Sequence, residues 1–281
     1  MKILLIYFSG SYNTLYLTTL LKNSFLKKNH YVDTCFLNNN VNVKNTNSYD
    51  IIGIGYPIYF NNAPKFFLEN LKKLNIKNKK IFIYKNGSNA SLNDSSYSSY
   101  KLINEIKKNN EFLKEYHFLM PANISEKLAD EYVKSLIEYN IKYINYITNN
   151  ILLKDEKQYT KKGKMYSLLG KIKYNYYLML SKNIKINKEI CIRCRKCCFN
   201  CPMENIKYVK EKKKNYTINK CCLCLRCLNN CKVRALKKGK ANKIAIKERY
   251  NYYKINEMNQ NSTLSAYNDY FNKIENIISI H

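Results

Sequence analysis

Two copies of one cysteine spacing, set thirty residues apart, constrain this chain more than any other feature. Cys191, Cys194, Cys197 and Cys201 follow C-x2-C-x2-C-x3-C, and Cys221, Cys224, Cys227 and Cys231 repeat it position for position. Pro202 follows the first copy, and Lys232 stands in the corresponding place after the second. A segment of about 55 to 60 residues buries little core of its own, so its cohesion must come largely from whatever the thiols hold. Disulfides would need an oxidising compartment, and the odd total of eleven cysteines does not favour them.

A [4Fe-4S] cubane needs four thiolates at tetrahedral corners of a bulky inorganic core. Three cysteines separated by two residues can wrap one side of it, and the fourth must come from elsewhere. The first copy with Pro202 completes the bacterial ferredoxin run, in which the last cysteine of each motif ligates the other cluster. One cluster is thereby expected on Cys191, Cys194, Cys197 and Cys231, the other on Cys221, Cys224, Cys227 and Cys201. Zinc ribbons use paired C-x2-C knuckles and would leave the remaining repeated cysteines unexplained. Lys232 removes a turn former, not a ligand. Cys35, in the apolar run Val32 to Phe36, is expected in a buried strand. Cys198 and Cys222 are expected as small packing residues, with exchange onto a damaged cluster as the alternative.

The chain has 281 residues, room for two domains. The organisation expected is a first domain over 1–150, a connector over 151–184, the two-cluster unit over 185–240 and a C-terminal extension over 241–281. No apolar stretch reaches the eighteen or more residues of a membrane span. The opening run Ile3 to Phe8 is too short for a signal peptide's apolar region and meets Ser9-Gly10 with no cleavage pattern, so a cytoplasmic location is expected.

The formal charge is +29, which invites a nucleic-acid reading. The basic residues are nearly all lysine, however, spread among asparagine, tyrosine and isoleucine, so the excess reflects composition and no nucleic-acid partner is expected. Two oxidised cubanes at about −2 each and a flavin phosphate at about −2 would bring the charge to about +23. Arginine is more selective. Of five, Arg193, Arg195, Arg226 and Arg234 lie in or beside the cysteine loops.

Before the cysteines, short apolar runs alternate with amphipathic stretches. Strands are expected at Ile3 to Phe8, Tyr31 to Phe36, Ile51 to Gly55, Ile81 to Tyr84 and Tyr116 to Met120. Helices are expected at Asn13 to Leu26, Pro64 to Leu74, Ser96 to Lys108 and about Ser125 to Ile147. The alternation implies a doubly wound α/β parallel sheet covered on both faces, with the flavodoxin-like order 2-1-3-4-5. The small cysteine-rich unit adds an α+β ferredoxin domain. The loop Ser9-Gly10-Ser11-Tyr12-Asn13-Thr14, between first strand and first helix, offers hydroxyls and backbone N–H groups to an anion.

That loop, with Gly53-Ile54-Gly55-Tyr56-Pro57-Ile58-Tyr59 after the third strand, resembles the two loops by which flavodoxins grip FMN. Lys85-Asn86-Gly87-Ser88 would be the third. With the doubled cysteine motif behind it, the chain resembles the flavodoxin-ferredoxin fusion proteins common in anaerobic bacteria and archaea. Phe8-Ser9-Gly10-Ser11-Tyr12-Asn13-Thr14 is similar to that family's first loop, and Asp50 to Tyr59 with Ala63-Pro64 to its third-strand segment. Gly239-Lys240 and Arg249-Tyr250 resemble its closing segment, so the likeness runs to about residue 255.

The resemblance implies FMN held by Ser9, Gly10, Ser11, Asn13, Thr14, Pro57, Tyr59 and Gly87, with Tyr56 or Tyr59 stacking on the ring. Lys85 near the flavin would ease its two-electron reduction. Tyr12 departs from the pattern, standing where the family has glycine, and a residue with a Cβ takes φ > 0 only at a cost.

The connector stretch Lys161 to Leu180 has aromatic and leucine residues at amphipathic-helix spacing. It is expected to dock the two domains, with an anionic membrane surface the less favoured alternative. In the tail, Tyr270, Phe271, Ile274, Ile277 and Ile278 suggest a short helix.

His30, His117 and His281 are scattered and no nucleophile motif is present, so no catalytic residues are expected. The functional expectation is an electron-transfer iron-sulfur flavoprotein that works with redox partner proteins. A flavin-dependent reductase of a small acceptor and a flavin-free ferredoxin with an N-terminal docking module are the alternatives. Cations beside the cysteine loops favour a more negative reduced cluster. Neutralising Arg193, Arg195 and Arg226 together should therefore lower the cluster potentials by on the order of tens of millivolts, read by redox titration; potentials equal to the parent's would contradict this.

Overall fold

A computed structural model describes residues 1–38, 45–88, 95–122, 128–154, 159–180, 185–209, 214–217 and 221–237, with the single positions 252, 272 and 275. The closing segment at Gly239-Lys240 and Arg249-Tyr250, and the tail positions Tyr270, Phe271, Ile274, Ile277 and Ile278, lie outside the described residues.

Three strands, β1 (Lys2–Tyr7), β3 (Ile51–Pro57) and β4 (Lys80–Gly87), are nearly continuous buried runs. That is what the middle of a parallel sheet requires, because both faces are covered. The edges are β2 (Tyr31–Phe36) and β5 (Glu111–Leu119), whose burial is patchier. Every pairing is parallel and the order is β2-β1-β3-β4-β5. The fold of this region is flavodoxin-like, as the alternation of elements led us to expect.

Alternation along β1 divides two cores. Ile3, Leu5 and Tyr7 pack with Leu17, Leu21 and Phe25 of α1 (Asn13–Lys27) and with Val133, Leu136 and Ile144 of α4 (Asp130–Asn149). Leu4, Ile6 and Phe8 pack with Phe66, Phe67 and Leu71 of α2 (Lys65–Lys73) and with Leu102 and Ile103 of α3 (Tyr100–Ile106). The carboxyl ends of β1 and β3, where the chain's path reverses across the sheet, are where such folds bind ligands.

Several elements depart from expectation. The single helix expected over Ser96 to Lys108 divides into a 3-10 turn, Ser96–Ser99, and α3. β5 begins at Glu111 rather than Tyr116, because Lys114 and Glu115 disguise its first half as polar loop. β4 runs on through Gly87, so Lys85, Asn86 and Gly87 form the end of a strand and not a loop after it. Cys35 is half-buried on edge strand β2 rather than enclosed.

The extension of β4 changes the meaning of Lys85. Its side chain is 1% exposed and its Nζ lies 2.7 Å from Glu115 Oε1. The same Nζ donates to the Ser95 carbonyl at 3.0 Å and to the Ser98 and Ser99 hydroxyls at 2.9 Å, while Ser99 Oγ also donates to Glu115. The expected cation facing a flavin is thus a neutralised, fully bonded ion pair tying β4 to β5 and to the 3-10 turn. The reason is register: Lys85 pairs with His117 two residues beyond Glu115, on adjacent parallel strands.

Helix α5 (Lys161–Leu180) has the expected bounds but packs by the opposite face. Gly163, Ser167 and Gly170 press against the 3-10 turn and the loop after β3, and a Cβ on Gly170 would collide with the Phe60 carbonyl oxygen. Asn62 Nδ2 donates to the Ser167 carbonyl at 2.9 Å and Ser167 Oγ donates to Asn62 Oδ1 at 2.5 Å. Tyr174 and Tyr177 close on the Phe60 ring. Met165, Leu168, Ile172, Tyr176 and Met179 remain exposed. Small residues dock the helix because they allow its backbone to approach closely, which the leucine spacing did not reveal. No helix among the described residues is long and apolar enough to cross a membrane.

The cysteine-rich segment opens with β6 (Lys185–Ile186) and closes with β9 (Leu236–Lys237), which pair antiparallel. Between them come α6 (Lys196–Phe199), the hairpin of β7 (Ile206–Val209) and β8 (Lys214–Thr217), and α7 (Arg226–Asn229).

Glu115→Gln would leave Lys85 buried without its counter-charge and should cost about 3–5 kcal/mol, measured as a shifted urea midpoint. Replacing both residues by methionine should recover much of the loss; an unchanged midpoint in the single variant would contradict the pairing.

Candidate functional site

The two cysteine loops share one backbone. Arg193 and Leu223, Arg195 and Leu225, and Glu204 and Arg234 are pairs thirty residues apart, and all six have φ between 48° and 57°. Residues with a Cβ rarely adopt this left-handed region, so six occurrences at three equivalent positions are the same curl made twice. Hydrogen bonds repeat as well. Phe199 and Asn229 donate from backbone N–H to the carbonyls of Arg195 and Leu225, and Glu204 and Arg234 to those of Cys201 and Cys231. Lys232 therefore occupies the same turn as Pro202.

The curl brings thiols of the two copies together. Cys191, Cys194, Cys197 and Cys231 line one cavity, with Cys227, Ile186, Ile192, Val233 and Leu236. Burial pushes the Cys197 thiol up to about 12, and the crowding of Cys198, Cys191 and Cys194 adds to it. In the other set Cys201 is raised chiefly by burial and in part by Cys224 from the second loop. Backbone N–H groups point at these sulfurs: Asn205 N to Cys201 Sγ at 3.2 Å and Leu223 N to Cys221 Sγ at 3.3 Å. Among the described residues no group of His, Cys, Asp or Glu is placed to hold a single metal ion. Thiols that raise one another's pKa, with N–H donors at sulfur, fit a cationic core that would take them as thiolates.

Cys222 is buried beside Cys224 and is a packing residue. The hydrogen bond from Cys222 lowers the Cys224 thiol to about 7, helped by the Arg226 backbone N–H and guanidinium. Cys198 is half-buried beside Cys197.

The loop after β1 lies directly under the second cysteine loop. A Cβ on Gly10 would collide with the Tyr59 hydroxyl and stand 3.1 Å from the Cys224 Cβ and carbonyl oxygen. Glycine is required here by close approach rather than by dihedral. Tyr12, by contrast, takes the dihedral a glycine would, φ 75°, as the residue before α1. The strain, about 1–2 kcal/mol, is offset by the Arg226 guanidinium 4.8 Å from its ring centre, a cation that also lies 5.3 Å from the Phe36 ring.

The other expected anion ligands divide. Ser9 Oγ is buried with no hydrogen-bond partner, at the head of a helix with no acidic residue in its first turn; this fits an anion. Ser11 is half-buried. The Asn13 side chain is occupied, donating to the Pro121 carbonyl at 2.8 Å and accepting from the Tyr252 hydroxyl at 2.5 Å. Thr14 Oγ1 accepts from Asn86 Nδ2 at 2.7 Å. These partners fix the Asn13 and Thr14 side chains but leave the Thr14 O–H and one Asn13 N–H as donors alongside the backbone N–H groups. Tyr252, stacked on Tyr16 at 4.6 Å, could not have been placed from sequence, since it arrives from the C-terminal extension.

Of the two tyrosines expected to stack on a ring, Tyr56 is fully buried against Phe67 and offers no face. Tyr59 is half-buried, edge-on to Phe8, with its hydroxyl enclosed and unpartnered. Pro57 is buried at the end of β3. Space remains beside Gly87, where a Cβ would meet nothing nearer than His117 Nε2 at 3.6 Å. A cavity of about 410 Å³ opens between the loop after β3 and the 3-10 turn, lined by Tyr59, Pro64, Tyr97, Ser98, Tyr174 and Cys222. Its volume is in the range of small-molecule sites.

No protein-family model and no curated protein matches the chain. Solved structures similar to it include general stress protein 14 from Treponema denticola in complex with FMN, at 12% identity and TM-score 0.42, over 54% of this chain and 99% of that one. A Streptococcus pneumonia TIGR4 flavodoxin (14%, TM-score 0.40) and oxidised flavodoxin 2 from Bacillus cereus (18%, TM-score 0.40) each align over 53% of this chain and 96% of their own.

Arg226→Ala removes both ring contacts and the 3.4 Å bond to the Asn200 carbonyl, and we expect about 1–2 kcal/mol of lost stability. Combined with Tyr12→Gly the loss should be less than additive. Additive losses in a denaturation cycle would show that Arg226 does not act through Tyr12.

Proposed function

We propose that the chain is an electron-transfer iron-sulfur flavoprotein, of the flavodoxin-ferredoxin fusion type that its motifs resemble. One [4Fe-4S] cluster is held by Cys191, Cys194, Cys197 and Cys231, the other by Cys221, Cys224, Cys227 and Cys201. The observation that carries this reading is the twice-made left-handed curl, which puts Cys231 of the second copy on one cavity with Cys191, Cys194 and Cys197 of the first. Six left-handed residues are a recurring strain in a segment with so little core, and metal-thiolate bonds would help to offset it.

FMN is proposed on the loop after β1. Ser9 Oγ, Ser11 and the first N–H groups of α1 would receive its phosphate, and Tyr59, Pro57 and the open side of Gly87 would border the ring. When bound, a flavin supplies interconversion of two-electron and one-electron steps. The protein's contribution is positioning: Gly10 lets the second cysteine loop touch the anion loop, and Arg226 fixes that contact.

One observation favours a second reading, a flavin-free ferredoxin with a docking module. Tyr59 and Cys224 already close over Gly10.

Anaerobic purification with iron, sulfide, zinc and flavin measured per chain separates the readings. We expect about eight irons with one FMN. Ser9→Ala should weaken FMN binding about tenfold or more, the scale of a hydrogen bond to a charged group, with iron unchanged. Eight irons without flavin would establish the docking module, and one or two zincs in place of iron would overturn both.

A further inference from the structure

The two cysteine loops have the same backbone but opposite surroundings. In the second, Cys222, Leu223, Cys224 and Leu225 are all buried. Their equivalents in the first are Ile192, Arg193 and Cys194, all exposed, and half-buried Arg195. Phe199 is 80% exposed where its equivalent, Asn229, is buried. Leucine and arginine are equally unsuited to the left-handed positions, so the sequence difference follows environment. The second loop faces the anion loop under β1; the first faces outward.

We propose that the outward loop is the docking face for a small acidic one-electron carrier protein, and that electrons are exchanged with such partners there and pass inward to the second loop. This rests on the cluster reading. The face carries the exposed apolar residues Ile190, Ile192, Phe199 and Val233, with Ile192 and Val233 beside exposed Cys194. Exposed Lys188, Arg193, Lys196, Lys232, Arg234 and Lys237 ring it, against Glu189 alone among the exposed acids of the described residues there. A hydrophobic patch inside a rim of one sign suits a partner carrying the opposite rim. A second copy of the chain would bring the same cations and be repelled. A nucleic acid or lipid would meet the charge but gain nothing from an exposed ligand at the centre. The step itself is simple: one electron would leave the reduced iron-sulfur centre of the carrier and be accepted by the cluster that Cys191, Cys194, Cys197 and Cys231 would hold. The carrier is oxidised by one electron, and no bond or proton is transferred.

The test uses the full chain, purified anaerobically with its iron and sulfide measured, and an oxidised acidic two-cluster ferredoxin as probe, so that binding is read without turnover. Affinity is determined by calorimetry at low and high salt. Lys188→Glu with Lys232→Glu should weaken binding about tenfold or more at low salt, a difference that shrinks at high salt. Phe199→Ser should weaken it several-fold at both. The control Lys27→Glu with Lys107→Glu carries the same charge change at the far end of the sheet and should stay within about twofold. Equal losses in control and test variants would reduce the effect to net charge and overturn the proposal. So would a DNA duplex or anionic vesicles binding as tightly as the ferredoxin and losing the same factor. A chain without iron would overturn the cluster reading and this proposal together, and is recognised before any carrier is added; full iron with no docking contrast overturns the docking proposal alone.

Discussion

The contact between Gly10 and the Cys224 backbone and Cβ orders the rest of the molecule. It exists because Gly10 has no side chain, and it joins the carboxyl end of the parallel sheet to the inner cysteine loop. Once the inner loop is seated there, Leu223 and Leu225 are buried and Arg226 lies over Tyr12 and Phe36. The outer loop is left to solvent. The asymmetry between two sequence repeats is thus a consequence of one close approach, and it gives the proposed relay a direction.

Charge is handled differently at each level of the structure. The many lysines are mostly solvated, and an exposed pair such as Lys65 with Glu69 contributes little. Lys85 is the opposite case, buried with Glu115 and three oxygen acceptors at the end of β4. A pair of this kind is a weak source of net stability but a strong constraint on geometry, since no other arrangement satisfies both charges. It holds the β4 end, the β5 strand and the 3-10 turn in register beside the cavity that touches Cys222. Arginine does a third job, with Arg195 4.2 Å from the Tyr208 ring and Arg226 on Tyr12, cations placed on flat apolar faces next to the thiols.

Much of this was legible in the sequence, and the remainder was hidden for identifiable reasons. The thirty-residue cysteine repeat is local spacing, and it carried through to the three left-handed dihedrals and the turn hydrogen bonds beside them. The parallel sheet was visible because central strands are apolar throughout. β5 was half hidden because Glu115 faces Lys85 on the neighbouring strand rather than water, a pairing no periodicity can show. The bounds of α5 followed from its composition, yet its docking face did not, since glycine and serine carry no hydrophobic signal. Asn13 and Thr14 read as free anion ligands until partners arrived from Pro121, Tyr252 and Asn86, all distant in sequence.

Tyr12 shows how a departure from a motif can be absorbed. Glycine at the head of such a loop serves two ends, a left-handed dihedral and an open approach. The tyrosine retains the first, at φ 75°, and places its ring toward the cysteine loop, where Arg226 covers it. The strain is local and of the same size as the cation-ring attraction, so the exchange is nearly neutral for stability. It is not neutral for function. A glycine would leave the anion loop tied to the cysteine-rich segment through the Gly10 contact, whereas this tyrosine makes the loop's conformation depend also on Arg226, a residue inside the inner cysteine motif. Filling or emptying that motif would then be felt at the loop beneath β1, and the two proposed cofactor sites would be coupled through one guanidinium group.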